Sequence, residues 1–352
     1  MDLRQPLTIP TVVSGADLPD ALPAHAVRLA RGQYLLATVP PPAWAQQREV
    51  SLARLLAVSR AARTPVRFSH ESAALLHGAC LYRQEPDVHT TRPTSSARTS
   101  ARLPSMVYGG SLTRERPQGQ TPGTPQGSSL LRGREVRHRR HALAVPDSDV
   151  THVYGLPVTT LPRTMADCLL DLPCPDALVI ADSLLRIAAR PDRFHPGPER
   201  QRVRDLLREV STRIEQASCR RRRLRARRLL PFLSPWAESP GESVLRLALL
   251  RAGAPEPVAQ HPVQVRGKWY FPDLAWPALC LGVEFDGAVK YADPGTLYQE
   301  KLRQEHLAGT GWRLVRVGWN DLRGDDAALT TRLLQCLPPG TAFELTPRAW
   351  MR

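Results

Sequence analysis

The sequence predicts a multidomain protein that combines α/β and α+β folds. Its 352 residues exceed the usual size of one domain, so two or three domains are expected. Two proline-containing linkers, at residues 191–198 and 231–240, separate helical patterns. After the second linker the order is helix, three strands, helix, strand and helix. This order predicts a small mixed sheet flanked by helices.

The charge balance favours a polyanionic partner. There are 48 lysines and arginines against 33 acidic residues, a net charge of +15. This indicates nucleic acid first and an anionic membrane second. The alternative is that the arginine content reflects a GC-rich genome, because lysine occurs only at Lys268, Lys290 and Lys301.

The remaining composition predicts a cytoplasmic protein that does not enter a membrane. There is no charged and then apolar N-terminal signal and no long apolar run. None of the six cysteines belongs to a CxxC pair. We therefore expect reduced thiols rather than a disulfide framework or a cysteine zinc site.

The first forty residues predict short elements. Residues 27–36 fit a β-hairpin with its turn at Arg31-Gly32, whereas Pro19 and Pro23 leave room for only one short helix at 16–22. Residues 48–62 then form a predicted amphipathic helix. A hairpin of this kind is either a DNA-binding wing or a structural cap.

A second predicted helix spans residues 68–78, with Ser69 as its N-cap and Gly78 as its end. His70, Glu71 and His77 lie on it and suggest a metal cluster. The preferred interpretation is that the histidines have capping and packing roles. A strand is predicted at residues 88–91.

Two basic segments follow a long predicted loop. Residues 91–133 are rich in Ser, Thr, Pro, Gly and Arg and predict a partly disordered loop with one strand near 106–108. Residues 132–141 predict a basic edge strand, in which Arg137 and Arg139 either contact phosphate or are simply solvated. Residues 199–230 predict a helical stretch whose arginines, Arg221 and Arg225 among them, offer a basic surface.

The strongest functional pattern is acidic and lies at residues 269–290. Leu281, Val283 and Phe285 alternate with Gly282, Glu284 and Asp286, so the two sets face opposite sides of a strand. A turn centred between residues 278 and 279 would place Asp273 opposite Glu284. Like charges in this position are unfavourable unless they are solvated or hold a cation. Mg²⁺ typically takes one or two carboxylates together with substrate phosphate.

The motif Pro272-Asp273, followed by Glu284-Phe285-Asp286-Gly287, resembles the PD-(D/E)XK nuclease superfamily. It is most similar to the branch related to very-short-patch-repair endonucleases. The similarity extends over residues 239–337, and we predict a nuclease-like domain at residues 239–340. The resemblance implies that Asp273 and Glu284 bind Mg²⁺ or Mn²⁺ and carry catalysis. It also implies that Glu242 and Asp286 assist the metal. Glu242 fits a helix-capping box with Ser239 equally well.

The same resemblance assigns the remaining site residues. The superfamily has a lysine where this chain has Asp286, so Lys290 would take the lysine role. Lys301 and Arg303, on a later helix, would contact phosphate. The departure at Asp286 bears on activity more than on fold.

The first two thirds of the chain resemble AbiEi-type antitoxins. Residues 27–36 are similar to the end of their winged-helix domain, and residues 68–78, 88–91 and 155–167 are similar to their middle domain. The resemblance implies a winged-helix remnant at 1–45, a middle domain at 46–230, DNA as a ligand and a cognate toxin as a partner.

Two functions are therefore expected. The first is a metal-dependent DNA endonuclease joined to an antitoxin-like, DNA-binding half. The second is a non-catalytic DNA-binding antitoxin or regulator with an inactive nuclease fold.

Overall fold

The computed structural model describes most of the chain and divides it into two compact units. The described residues are 10–17, 26–36, 43–93, 100–108, 113–114, 131–287, 302–324, 326–337, 341 and 344–351. The N-terminal unit covers residues 2–168 and the C-terminal unit covers residues 169–352. Both contain helices and sheets, which agrees with the predicted multidomain, mixed α and β class.

A small antiparallel sheet and one helix open the N-terminal unit. They are β1 (Val12–Ser14), β2 (Ala26–Ala30), β3 (Gln33–Leu36) and α1 (Ala43–Ala61). The strand order is β1-β3-β2, and the β2–β3 pairing confirms the hairpin predicted around Arg31-Gly32. Leu29 and Leu35 pack on Val50 and Ala53 of α1. Residues 18–25, which include most of the helix predicted at 16–22, lie outside the described residues.

The rest of this unit is built on a six-stranded mixed sheet. The elements are β4 (Arg67–Phe68), α2 (His70–Leu76), β5 (Val88–Arg92), β6 (Ser100–Arg102), β7 (Met106–Tyr108), β8 (Thr113–Arg114), β9 (Leu131–Arg132), β10 (Arg137–Ala142), β11 (Val150–Val153), β12 (Leu156–Thr159) and α3 (Leu161–Asp171). The order in the large sheet is β11-β12-β4-β5-β10-β6, and β7 pairs with β8 and β9 in a separate sheet. The β5–β10 and β4–β12 pairs are parallel.

Two predictions for this region need correction. The basic segment is not an edge strand, because β10 pairs with β5 on one side and with β6 on the other. The segment at 91–133 contains β7, as predicted, but also β6, β8 and β9. Residues 94–99, 109–112 and 115–130, on which the predicted disorder mainly falls, lie outside the described residues.

The C-terminal unit combines a helical part with a four-stranded sheet. Its elements are α4 (Cys174–Ala189), α5 (Pro198–Glu215), α6 (Arg220–Leu229), α7 (Pro240–Ala252), β13 (Val258–Ala259), β14 (Val263–Val265), β15 (Lys268–Tyr270), β16 (Leu274–Trp276), β17 (Leu281–Phe285), α8 (residues 302–308), β18 (Arg313–Val317), α9 (Trp319–Arg323) and α10 (Asp326–Gln335). The predicted helical stretch 199–230 is therefore two helices, α5 and α6. No helix among the described residues has the length and apolar content needed to cross a membrane.

The sheet has the order β13-β16-β17-β18, with β17 and β18 parallel and the other pairs antiparallel. One face packs Leu281 and Val283 against Leu245 of α7 and Leu333 of α10. A second cluster joins Leu307 of α8 to Leu314 and to the β14–β15 hairpin. The predicted first strand of the acidic hairpin is divided into β15 and β16, and Pro272, which cannot donate a ladder hydrogen bond, lies in the break.

A buried ion pair ties α4 to α7 in this unit. Asp182 is fully buried and accepts hydrogen bonds from Arg246 at 2.6 Å, from the Ser243 hydroxyl at 2.7 Å and from the backbone N–H of Ser234 at 2.8 Å. Burial raises the pKa of Asp182, against the opposing effect of the Arg246 charge. Three donors therefore compensate a carboxylate that no water reaches.

We expect Asp182→Ala to destabilise the C-terminal unit by about 3–5 kcal/mol, because it leaves the Arg246 guanidinium buried without its carboxylate. Urea unfolding can be followed by tryptophan fluorescence, since every tryptophan except Trp44 lies in this unit. The double variant Asp182→Ala/Arg246→Leu should recover part of the loss. Asp205→Ala, on the exposed side of α5, is the matched control. Equal losses in the control and in Asp182→Ala would contradict the prediction.

The stability of the N-terminal unit should depend on His138 in mildly acidic solution. Burial, followed by the charges of Arg140 and Arg92, lowers the pKa of His138 to about 4. The unfolded chain takes up this proton near pH 6.5. Stability is therefore lost as the pH falls through that value, by about 2 kcal/mol between pH 7 and pH 5.

His138→Gln should remove this pH-dependent part, because glutamine does not titrate and can still bond to Thr90, which His138 contacts at 2.9 Å. Pulse proteolysis in urea at both pH values, with fragments of residues 43–168 quantified by mass spectrometry, measures the difference. The exposed His152→Gln serves as the control. An unchanged pH dependence in His138→Gln would refute the assignment.

Candidate functional site

The acidic pattern lies on the central pair of strands in the C-terminal unit. In the β16–β17 ladder Leu274 is opposite Val283 and Trp276 is opposite Leu281. This is the register predicted from a turn centred between residues 278 and 279. If this register is extended by one residue beyond the ladder, Asp273 lies opposite Glu284. Because Leu274 and Val283 face the core, alternation directs Asp273 and Glu284 to the other face.

Asp273 is held by groups from two neighbouring segments. One carboxylate oxygen, Oδ2, accepts a hydrogen bond from the backbone N–H of Phe285 at 2.8 Å. The other, Oδ1, lies 3.4 Å from the Gln260 side-chain nitrogen, and the backbone N–H of Gln260 donates to the Asp273 carbonyl at 3.1 Å. The position of Asp273 is thus fixed on both sides.

Gln260 is a site residue that the sequence analysis did not identify. It is buried and has a φ of +52°, in the left-handed region that non-glycine residues seldom occupy. Within the part of the chain that the structure describes, its side-chain oxygen Oε1 has no hydrogen-bond partner. Gln260 therefore presents its amide nitrogen to Asp273, while its amide oxygen is buried.

Glu242 caps α7 and also belongs electrostatically to the site. Its backbone N–H donates to the Ser239 hydroxyl at 3.2 Å, which confirms Ser239 as the N-cap. Its own carboxylate reaches back and accepts from the Glu238 N–H at 2.8 Å. Burial, followed by the charge of Asp273, raises the pKa of Glu242 to about 8. Burial and the neighbouring Asp273 charge therefore both favour the protonated form of Glu242.

Glu284 and Asp286 differ in their surroundings. Glu284 is buried and forms an ion pair with Arg303 of α8. Asp286 follows the end of β17, where its backbone N–H donates to the Val317 carbonyl at 2.9 Å. Asp286 is partly exposed. The predicted phosphate-binding Arg303 is thus drawn into the acidic site itself.

A glycine allows α7 to approach this end of the sheet. A Cβ atom at Gly241 would overlap the ring of Phe285, which packs edge to face on Trp319 with ring centroids 4.9 Å apart. Gly241 directly precedes Glu242, and Phe285 directly follows Glu284. The close approach therefore positions the first turn of α7 beside the acidic strand.

Two predicted site residues cannot be placed, and the other predicted arginines lie elsewhere. Lys290 and Lys301 lie outside the described residues. Arg137 and Arg139 are in the N-terminal unit, where Arg137 pairs with Glu135 at 2.7 Å and Arg139 pairs with Asp87 at 2.5 Å.

The α6 arginines have structural partners or face solvent. Arg225 donates to the carbonyls of Leu169 and Leu170 at 3.1 and 2.8 Å, near the end of α3. Lysine and arginine are favoured at this end of a helix. Arg221 is exposed. Arg221 and Arg225 therefore belong to α6 and have no contact with the acidic site among those described above.

Comparison with known proteins leaves the family open. No family model matches the chain. Two uncharacterized proteins of Mycobacterium tuberculosis, Rv2248 of strain H37Rv and MT2308 of strain CDC 1551, are each 32% identical over 130 residues. The match covers 37% of this chain and 48% of each relative, so the chain spans about half the length of the curated relatives it matches.

One solved structure also aligns with the chain. It is the crystal structure of a proposed nucleotidyltransferase from H. pylori, with 14% identity, covering 53% of this chain and 93% of that chain. The TM-score of 0.26 is too low to carry an argument about fold or chemistry.

We expect Gly241→Ala to destabilise the C-terminal unit by about 1–3 kcal/mol, because the added methyl group overlaps Phe285 in a packed region. Gly287→Ala is the control, since a Cβ there would meet Phe285 only at 3.6 Å, an ordinary contact. Thermal unfolding of both variants measures the difference. If the two variants unfold at the same temperature, the close approach of α7 does not constrain this site.

Proposed function

We propose that the C-terminal unit is a metal-dependent phosphodiesterase that cleaves DNA with Mg²⁺ or Mn²⁺. The observation that supports this most is the position of Asp273 and Glu284 at facing places of the β16–β17 ladder, with Glu242 coupled to Asp273. Asp273, Glu284 and Glu242 come from three segments of this unit, although among the described residues their carboxylate oxygens do not all lie within 4.8 Å of one another. The proposal also draws on the resemblance of this stretch to PD-(D/E)XK nucleases.

The donor set suits a hard divalent cation. All of the side-chain donors are oxygens, and Mg²⁺ is usually held by one or two carboxylates together with substrate phosphate. Burial, and after it the charge of Asp273, raises the pKa of Glu242, and a cation would offset the second of these effects. Asp273 and Glu284 would be the main ligands, with Glu242 and Asp286 supporting them and Gln260 holding Asp273 in place.

The chain's own groups would divide the chemistry. A cation held by Asp273 and Glu284 would supply a more acidic bound water and would offset charge on the phosphate. Asp273 is oriented by the Phe285 N–H, which fixes the direction of its carboxylate. Glu242 can take up or release a proton near neutral pH. Arg303 places a guanidinium beside Glu284, where phosphate charge would develop.

Asp286 occupies the position of the superfamily lysine, and we assign the lysine role to Lys290. Arg303 is a second source of positive charge near the site. Its ion pair with Glu284 must open, or be shared with the phosphate, before Glu284 can bind metal through both oxygens. Exposed arginines on α6, among them Arg220 and Arg221, offer a surface for the DNA backbone in the same unit.

The second candidate is a non-catalytic DNA-binding antitoxin or regulator with a cognate toxin. One specific observation favours it: Arg303 already neutralises Glu284 without a metal. The antitoxin-like resemblance of the N-terminal unit supports the same alternative. The two candidates differ in one measurable property, which is metal-dependent cutting.

We expect the full chain to cut plasmid and linear DNA with Mg²⁺ or Mn²⁺, and Asp273→Asn and Glu284→Gln each to reduce the rate by about 100-fold or more, because each removes a charge that would hold the cation. The exposed Glu256→Gln is the control and should cut normally. DNA binding by all variants is measured in parallel in Ca²⁺.

Binding without cutting by the wild type under either metal would sink the catalytic proposal and leave the regulator. Cutting that survives both substitutions would assign the activity to a contaminant or to another site. Arg303→Ala separates two roles of the guanidinium. If Arg303→Ala cuts more slowly than the wild type at saturating metal, the guanidinium stabilises charge on the phosphate. If the variant reaches its full rate at a lower metal concentration than the wild type, the guanidinium competes with the cation for Glu284.

A further inference from the structure

Three histidines from distant parts of the sequence converge in the N-terminal unit. His70 begins α2, His89 lies on β5 and His141 lies on β10. One ring nitrogen from each lies within 4.8 Å of those of the other two. His70 and His89 are buried, and His141 is half-buried. Among the described residues, the carboxylates of the acidic site do not form such a trio.

Strand pairing accounts for two of the three positions. In the parallel β5–β10 ladder His89 is opposite Arg139 and Thr91 is opposite His141. His89 and His141 are therefore one even step apart on the same face of the sheet. His138 is opposite Val88 and contacts Thr90, so it belongs to the other face.

The third histidine reaches the cluster through an unusual backbone. His70 has a φ of +50°, in the left-handed region that costs a residue with a Cβ atom free energy. Its ring stacks on that of His141, with centroids 4.3 Å apart and planes inclined by 17°. Such conformations persist where the surrounding structure imposes them, often at functional sites.

Neighbouring groups orient the rings. The Glu71 carboxylate lies 3.2 Å from Nε2 of His89, while Nδ1 of His89 lies 2.9 Å from Nε2 of His141. A carboxylate on one ring nitrogen favours the proton there and leaves the lone pair on the other nitrogen. Ser69 contacts Nδ1 of His70 at 2.9 Å in the same way. Metal-binding histidines commonly have a carboxylate or another polar group on the second nitrogen.

We propose that His70, His89 and His141 bind one transition-metal ion of the Zn²⁺ class, with Glu71 as a positioning residue for His89. Three imidazoles suit zinc, copper or nickel, and they exclude Mg²⁺ as the preferred ion. Around tetrahedral Zn²⁺, with bonds of about 2.0–2.1 Å, nitrogen donors lie roughly 3.4 Å apart. The present spacing of the ring nitrogens, from 2.9 Å to at most 4.8 Å, brackets this distance.

The ion would tie the start of α2 to the centre of the six-stranded sheet. It would reinforce a junction that hydrogen bonds already make, because the Ser69 N–H donates to the His89 carbonyl at 3.2 Å and the His89 N–H donates to the Ser72 hydroxyl at 2.8 Å. The fourth tetrahedral position is left for water. This site is independent of the acidic site in the C-terminal unit and of the phosphodiesterase proposal.

The test uses the full chain without a histidine tag, stripped with chelator and dialysed. One sample of the stripped protein is loaded with Co²⁺, whose absorption spectrum reports the ligands. A second sample is loaded with Zn²⁺ and dialysed, and elemental mass spectrometry measures the Zn²⁺ that it retains. We expect one equivalent per chain and a ligand-field spectrum of a four-coordinate nitrogen site. His70→Asn and His141→Gln should each weaken Zn²⁺ binding more than tenfold, and Glu71→Gln by about 10–100-fold.

The variants are chosen to keep the fold. Asparagine tolerates the left-handed backbone at position 70, and position 141 is half-buried near the end of β10. His152→Gln, an exposed histidine on β11, should bind Zn²⁺ like the wild type. Circular dichroism verifies that each variant is folded.

The wild type alone also decides the question. X-ray absorption of the Zn²⁺-loaded protein should show three imidazole ligands. No retained metal in the wild type, a spectrum dominated by oxygen or sulfur, or undiminished binding in folded His70→Asn and His141→Gln would overturn the proposal. If a variant does not fold, the X-ray absorption spectrum of the Zn²⁺-loaded wild type still tests the proposal.

Discussion

The β16–β17 register is the constraint on which the acidic site depends. A slip of one residue would exchange the faces of every side chain on the strand and carry Glu284 into the apolar core. The core residues Leu274, Leu281 and Val283 prevent that slip, because they have to face α7 and α10. The hydrogen bond from the Phe285 N–H to Asp273 then fixes the carboxylate one step beyond the ladder. Packing on one face thereby determines electrostatics on the other.

The parallel β5–β10 pairing has the same role in the N-terminal unit. It brings residues 89 and 141 together although 51 residues separate them, and it sends His138 to the opposite face. His77, which sequence spacing had placed with His70, instead contacts the Thr159 carbonyl at 2.8 Å. Its packing role was the preferred prediction and is confirmed. A helix periodicity could suggest His70 and His77 as partners, but only strand pairing supplies His89 and His141.

The positive charge of the chain is partly used within the fold. Arg246 is buried against Asp182, Arg54 is buried against Glu85, and Arg139 pairs with Asp87. Arg225 serves carbonyls near the end of α3. The net charge of +15 therefore overstates the basic surface that remains for a polyanion. The arginines exposed on α6 are a more specific candidate than the total charge.

The sequence by itself determined local structure well where one residue pattern dominates. Alternating apolar residues predicted β17, and a turn centred between residues 278 and 279 predicted its register. The Arg31-Gly32 turn predicted the β2–β3 hairpin, and Ser239 with Pro240 and Glu242 predicted the start of α7. The tertiary structure decided the rest. It placed β10 inside a sheet, divided the first acidic strand at Pro272, and paired Arg303 with Glu284. It also added Gln260, Gly241 and the histidine trio, whose partners are distant in sequence. Local patterns report the faces of single elements, whereas a site is made by side chains that meet only after those elements pack.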